Sequence, residues 1–168
     1  MTTIILTIVG ILLAAVSALM VLWYGGESFD RGTVRADAAT AMSAAIQVSD
    51  AVRLKEASEG VTFPAWDINS LVGEKYLSSV PRIPGADVYL MDETGCAGCI
   101  GPKAIGVVYA MRDTPHVRAV CADVRRSVGT LKPGQPYVPA ARRMTDALAE
   151  SRVGCSTDGV TFFVYSGF

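Results

Sequence analysis

The most constraining feature of this sequence is an uncharged, apolar stretch at its N-terminus. Residues 1–26 carry no charged side chain, and the first charge along the chain is Glu27. At a rise of 1.5 Å per residue, a helix over residues 2–24 would be about 34 Å long, slightly more than the roughly 30 Å hydrocarbon core of a bilayer. Trp23 and Tyr24 fit the aromatic belt of a membrane interface. We therefore predict that residues 1–26 form an apolar helix able to span a membrane.

The charges around this stretch give two conflicting indications of its orientation. Arg31, Arg35, Arg53 and Lys55 follow it and no basic residue precedes it, so the positive-inside rule places the remainder in the cytoplasm. Four cysteines in a chain of 168 residues instead favour an oxidising compartment. The conflict disappears if a short basic leader preceded Met1 and was removed, and the absence of a basic n-region also argues against a cleavable secretory signal. We therefore predict that Met1 is a processed N-terminus.

The next stretch, residues 27–60, has the periodicity of an amphipathic helix. Apolar residues spaced four and three apart form a seam along one face. The seam consists of Val34, Ala38, Ala41, Ala45, Val48 and Val52. Met42 and Ile46 widen it, and Gly60 followed by Pro64 ends the pattern.

Glycines interrupt the helical pattern between these two stretches. Gly25, Gly26 and Gly32 each cost about 1 kcal/mol relative to alanine in a helix, which predicts a kink or a melted turn. Two arrangements remain open. The chain has either a membrane anchor followed by a juxtamembrane linker, or one long helix with one half buried in a domain and the other half protruding.

Residues 61–168 have the pattern of a small α+β head. Strands are predicted at residues 87–92, 104–112 and 159–167, with a glycine-rich connection of hairpin type between the first two. Helices are predicted near residues 67–72, at 114–129 and at 139–152, the second with Thr114 as N-cap and Pro115 at the first helical position. The predicted fold class is therefore α+β, with a long N-terminal helix packed on a small antiparallel sheet.

The four cysteines are candidates for a redox centre, a metal site or disulfides. Cys96 and Cys99 have CxxC spacing, but glycines and a proline follow them where a thioredoxin-like site needs a helix. As half of a zinc site this pair would recruit Cys121 and Cys155, which lack a second close spacing. Without a metal, four cysteines allow three pairings. We favour Cys121 with Cys155 and Cys96 with Cys99.

Composition argues against several classes of function. Lys and Arg number 15 against 16 Asp and Glu, so no excess of positive charge is available for a nucleic-acid backbone, and we predict no nucleic-acid contact. His116 is the only histidine, and its place in the first turn of a predicted helix favours an inert, exposed imidazole. Sequence signatures of dinucleotide, nucleotide, esterase and zinc-protease sites do not occur. We predict no catalytic site and no cofactor.

The assembled pattern resembles a type IV pilin, specifically the type IVb class. The segment MTTIILTIVGILLAAVSALMV resembles the mature N-terminus of toxin-coregulated pilins. The segments VRAVCADVRRSVG and VGCSTDGVTFFVYSGF resemble the two cysteine segments that delimit the disulfide-bonded region of that family. The resemblance therefore maps Cys121 and Cys155 onto the family's bridge. It covers most of the chain, although residues 61–112 match only in general pattern and the Cys96 and Cys99 pair is not part of the family pattern.

The fifth residue departs from the family pattern. Family members usually have a glutamate there, which is thought to pair with the N-terminal amine of a neighbouring subunit, and this chain has Ile5. An isoleucine avoids the cost of desolvating a carboxylate in apolar surroundings. Helix register would then depend on packing through small residues that permit close approach. These residues are Gly10, Ala14, Ala15 and Ala18.

The resemblance implies a structural subunit of a bacterial surface filament. Copies of the chain would polymerise through their apolar helices in the filament core, with the heads outside. The subunit would first be held in the inner membrane, where a prepilin peptidase and the pilus assembly machinery act on it, and would then enter an extracellular pilus. Two alternatives stay open: a pseudopilin of type II secretion, which usually lacks this two-cysteine arrangement, and a signal-anchored periplasmic domain, which should show a pocket with convergent polar groups.

Overall fold

The fold is α+β, with one long helix and one small antiparallel sheet. The computed structural model describes residues 2–64, 68–92, 94, 103–139, 141 and 143–168. The elements are α1 (Thr2–Glu59), α2 (Ser70–Gly73), β1 (Ala86–Asp92), β2 (Ala104–Arg112), α3 (Pro115–Ser127), α4 (Met144–Glu150), β3 (Val153–Thr157) and β4 (Thr161–Gly167). The sheet has the strand order β1-β2-β4-β3, and all three pairings are antiparallel. Contacts divide the chain into two compact units, Met1–Ala36 and Asp37–Phe168.

Helix α1 is continuous through the glycines that were expected to interrupt it. Gly25, Gly26 and Gly32 are all helical, so the predicted melted turn is wrong. A helical glycine keeps its backbone hydrogen bonds, and adding a residue to an existing helix is far easier than starting a second helix after a break. Within the part of the chain that the structure describes, no helix combines the length and the apolarity needed to cross a membrane.

The end of α1 follows the prediction closely. Gly60 adopts a φ of +68°, a left-handed conformation that favours glycine after a helix. Its N–H donates to the carbonyl of Glu56 at 2.9 Å, and the Glu56 carboxylate accepts from the N–H of Phe63 at 2.8 Å. The chain therefore turns back toward the head directly after the helix, and Phe63 enters the core.

The seam of α1 from Ala38 onward is buried in the second unit, and its C-terminal residues pack against the sheet. Five of its residues are at most 1% exposed: Ala38, Ala41, Ala45, Val48 and Val52. Val48 and Val52 share a core cluster with Leu90 of β1 and Val107 of β2. Ile46 is 40% exposed, so its predicted place on the seam is wrong. It lies about 100° around the helix from its neighbour Ala45, outside the width of the seam.

Helix α3 begins at the predicted cap. The Thr114 hydroxyl accepts a hydrogen bond from the N–H of Val117 at 3.1 Å, and Pro115 occupies the first helical position. The helix buries Val120, Cys121, Ala122 and Val124. The cap therefore fixes which face of α3 meets the sheet.

The second predicted head helix is much shorter than expected. Helix α4 covers Met144–Glu150 instead of residues 139–152. Upstream, Ala141 forms a parallel bridge with Thr157, and the backbone of Arg143 is extended. The pairing of Ala141 with the sheet therefore replaces the helical conformation that the sequence pattern predicted there.

Strand β3, Val153–Thr157, is the element that the sequence reading missed. It pairs with β4 across a tight turn that contains Asp158 and Gly159, and Gly159 has a φ of +100°. An Asp-Gly pair between apolar segments is a strong hairpin signal and would have predicted the strand. The strand places Cys155 beside the buried face of the final strand.

Candidate functional site

A continuous apolar surface is exposed along the N-terminal part of α1. Its large apolar side chains are 47–70% exposed: Ile5, Leu6, Ile8, Val9, Ile11, Leu12, Leu13, Val16, Leu19, Met20 and Val21. These side chains occur on all sides of the helix and do not form one stripe. A helix that is apolar all round is typically surrounded by protein or lipid. This surface is therefore the first candidate functional site.

The residues predicted to guide helix packing all lie on this exposed surface. Gly10, Ala14, Ala15 and Ala18 are exposed, and a Cβ added at Gly10 would meet no atom within 4 Å. Ile5 presents a large apolar side chain where the family pattern has a carboxylate. Residues 5–21 therefore present a surface of apolar side chains without a charged group.

The disulfide region lies in the head. Cys121 of α3 and Cys155 of β3 form a disulfide with their Cα atoms 5.4 Å apart and a sequence separation of 34. The structure therefore contains the bridge that the resemblance implies. The Tyr137 hydroxyl lies 3.2 Å from the Cys121 sulfur, and its ring centre is 6.4 Å from that of Phe162. Burial raises the pKa of Tyr137, and the nearby Arg125 partly opposes this rise.

Several predicted sites lie outside the described residues. These are the processed N-terminus at Met1 and the pair Cys96 and Cys99, while the side chains of Trp23 and Tyr24 are likewise outside the described part. Among the residues that the structure does describe, no group of three or more His, Cys, Asp or Glu could hold a metal ion.

One hydrogen-bonded pair and one ion pair lie on the surface at the start of α3. His116 is exposed, and its Nε2 is 2.8 Å from a carboxylate oxygen of Asp37 on α1, a pair that the sequence reading missed. Arg118 donates two hydrogen bonds to the Asp113 carboxylate at 2.7 and 2.6 Å, which lower the pKa of Asp113. Exposed pairs of this kind contribute little to stability. Neither pair places a nucleophile beside a general base.

Lys55 is a buried charge that the sequence reading missed. It is only 8% exposed, and its Nζ lies 2.6 Å from a Glu74 carboxylate oxygen and 3.3 Å from the Ser70 hydroxyl. The ammonium also lies 5.2 Å from the centre of the Phe63 ring. These contacts join the end of α1 to the α2 segment, so Lys55 is a structural residue.

A buried tyrosine lies at the centre of the sheet. The Tyr109 side chain is fully buried, and its hydroxyl donates to the carbonyl of Pro81 at 2.8 Å. Burial raises the pKa of Tyr109 to about 12. The hydroxyl therefore stays protonated at ordinary pH and acts as a fixed hydrogen-bond donor.

An open groove of about 1170 Å³ lies on the opposite face of the sheet from α1. Successive residues of a strand point to opposite faces, so Tyr89 of β1, Ala110 of β2 and Phe163 of β4 lie away from the α1 core. Arg112 and Arg143 also line the groove. The sequence reading missed this site, because the outward-facing Ala110 and Phe163 are apolar like the inward-facing residues beside them.

Similarity to known proteins does not indicate a function for this chain. Comparisons with protein families, with curated proteins and with solved structures find no significant match to this chain. The observations that bear on function are therefore the exposed apolar helix, the disulfide-bonded head and the groove.

Proposed function

We propose that this chain is a structural subunit of a type IVb-like pilus and that its copies polymerise through their N-terminal helices into a filament. The exposed apolar surface of residues 5–21 carries this proposal. Removing apolar surface from water contributes about 25 cal/mol per Å². Enclosing such a helix among copies of itself therefore outweighs the roughly 0–1 kcal/mol of an exposed ion pair.

The head supports the proposal through its disulfide. Cys121 and Cys155 are buried and bridged, as suits a domain that functions in an oxidising environment. Under this proposal Met1 is the residue left after a prepilin peptidase removes a leader, and the assembly machinery takes the subunit from the inner membrane into the extracellular pilus. The membrane stage stays a prediction from the sequence. Mass spectrometry of the native protein should find Met1 as its terminal residue.

The absence of a carboxylate at Ile5 shapes the proposed mode of assembly. A homopolymer of this chain has no charged side chain in residues 1–26 with which to fix helix register. Gly10 and Ala14 lie four residues apart on one helix face and permit close approach of a neighbouring helix. Register in the filament core is then fixed by the fit of small and large apolar side chains.

The decisive experiment compares two aspartate substitutions. Ile11→Asp places a charge within the apolar surface, and the matched control Gln135→Asp places one in an exposed head loop. Electron microscopy of sheared surface material should show filaments for the wild type and for Gln135→Asp and none for Ile11→Asp. Abundant, regular filaments from Ile11→Asp would overturn the proposal. A wild-type chain found only as a membrane-bound monomer would instead favour a signal-anchored domain.

A further inference from the structure

Among the described residues, no helix lies over half of the outer face of the sheet. Helix α4 packs over Met91, Val108 and Tyr165 on one half of this face. The other half forms the groove, where Tyr89 is 38% exposed and Phe163 is half-buried. Two aromatic side chains therefore form part of an open floor and do not enclose a deep apolar pocket.

Some charged side chains around the groove are free to bind a ligand, and others already have partners within the protein. Within the described residues, Arg112 and Arg143 form no ion pair and no side-chain hydrogen bond, and the same holds for Asp87. The Asp158 carboxylate accepts from the N–H groups of Val160 and Thr161 at 2.9 and 2.7 Å, so it is engaged in its own turn. The groove thus offers two free guanidinium groups and one free carboxylate.

We propose that this groove binds an acidic polysaccharide, that is, a chain of sugars that carry both carboxylates and hydroxyls. Arginine donates paired hydrogen bonds that match a carboxylate, so Arg112 and Arg143 select a ligand with acidic groups. Asp87 is an acceptor only, so the same ligand must also bring O–H or N–H donors. Sugar acids supply both chemistries, and their C–H faces can lie on the rings of Tyr89 and Phe163.

The placement of the groove suits a ligand from outside a filament. The groove is on the face of the sheet opposite the α1 residues 44–52. If α1 faces the filament core, as the proposed function has it, the groove faces the medium. Only the exposure of the groove to the medium rests on the proposed function. The residues that bind the ligand all lie in the head.

The test uses the full-length protein in nonionic detergent and oligogalacturonate as the probe. Calorimetric titration should detect binding of oligogalacturonate and none of a neutral malto-oligosaccharide of equal length. Arg112→Gln and Arg143→Gln should each weaken binding about tenfold, in line with the strength of a charged hydrogen bond. The matched control Arg126→Gln removes an exposed arginine of α3 that does not line the groove and should leave affinity unchanged.

Other outcomes would overturn the proposal. One is that oligogalacturonate does not bind. Another is that Arg126→Gln loses as much affinity as the groove variants, because this would show attraction by net charge alone. Equal affinity for poly-glutamate would assign the groove to acidic peptides. Filament formation should be normal in Arg112→Gln, and Ile11→Asp should bind the probe normally, so failure of this inference and failure of the proposed function are distinguishable.

Discussion

The two parts of helix α1 invert the usual relation between hydropathy and burial. Residues 5–21, made largely of Ile, Leu and Val, are exposed, whereas the alanine-rich seam of residues 38–52 is buried, with Ala45, Val48 and Val52 against the sheet. Small side chains in the seam let the helix approach the strands closely. Helical periodicity thus identifies the α1 residues that the head buries, whereas the hydropathy of residues 5–21 does not lead to their burial within this chain.

The largest expected difference in unfolding free energy comes from placing a charge in each of the two parts of α1. Val48→Asp should lower the free energy of unfolding of the head by at least about 4 kcal/mol, because Val48 is fully buried and the carboxylate would have no partner. Ile11→Asp should leave that free energy unchanged. Urea unfolding of the full chain in detergent, followed by near-UV circular dichroism, measures both.

A neighbouring position provides the control for this contrast. Gln47 lies beside Val48 on α1 and is exposed. Gln47→Asp should cost less than about 0.5 kcal/mol, as surface substitutions usually do. A similar loss for Gln47→Asp and Val48→Asp would show that the seam is not the packed face.

Removing the disulfide tests whether the head is stabilised independently of the N-terminal part. Replacing Cys121 and Cys155 together by serine should lower the unfolding free energy of the head by about 4 kcal/mol on the chain-entropy account of the loop that they close. Hydrogen exchange of residues 5–21 should not change. Faster exchange in both parts would contradict the division into two separate units.

Sequence patterns predicted those elements whose signals are local. β2 was predicted with the observed bounds because its apolar run is unbroken, and Thr114 was predicted as a cap because hydroxyl, proline and apolar spacing coincide. The end of α1 at Gly60 was predicted for the same reason. Each of these features depends on interactions between residues that are close together in the sequence.

The errors arose where contacts distant in sequence determine the outcome. The pairing of Ala141 with Thr157 shortened α4, and the burial of Lys55 needs Glu74 and Phe63, neither of which a helical pattern reveals. The groove likewise needs three strands side by side. Spacing alone left three cysteine pairings open, and the bridge between Cys121 and Cys155 was the one favoured there and also the one that the family resemblance implied.

Alkaline pH should lower the free energy of unfolding of the head. Residues 5–21 should be unaffected, because they carry no titratable side chain. The pKa of Tyr109 is about 12 in the folded state, against an ordinary value of 10.0 for tyrosine. Its stabilising contribution is therefore complete below pH 10 and is lost as pH rises toward 12, with a total of about 2–3 kcal/mol. Urea unfolding at a series of pH values measures the loss.

The Tyr109→Phe variant isolates this effect. The variant should be less stable at neutral pH by about 1–2 kcal/mol, because the Pro81 carbonyl loses its donor. Its stability should then fall less steeply above pH 10, with the remaining slope including Tyr137, whose pKa is also raised. Tyr76→Phe is the control, since the Tyr76 hydroxyl contacts the exposed Ser58. An unchanged slope in Tyr109→Phe would contradict the assignment.

The smallest expected effects come from one glycine in each part of α1. Gly60→Ala should lower the unfolding free energy of the head by about 1 kcal/mol, because alanine is disfavoured at the φ of +68° that ends the helix. Gly32→Ala should stabilise the helix around residue 32 by up to about 1 kcal/mol, because Gly32 is helical and an added Cβ meets no atom within 4 Å. Slower amide exchange near residue 32, with unchanged unfolding of the head, would support the separation of the two parts. A gain in head stability from Gly32→Ala would instead show that the N-terminal part contributes to the folding of the head.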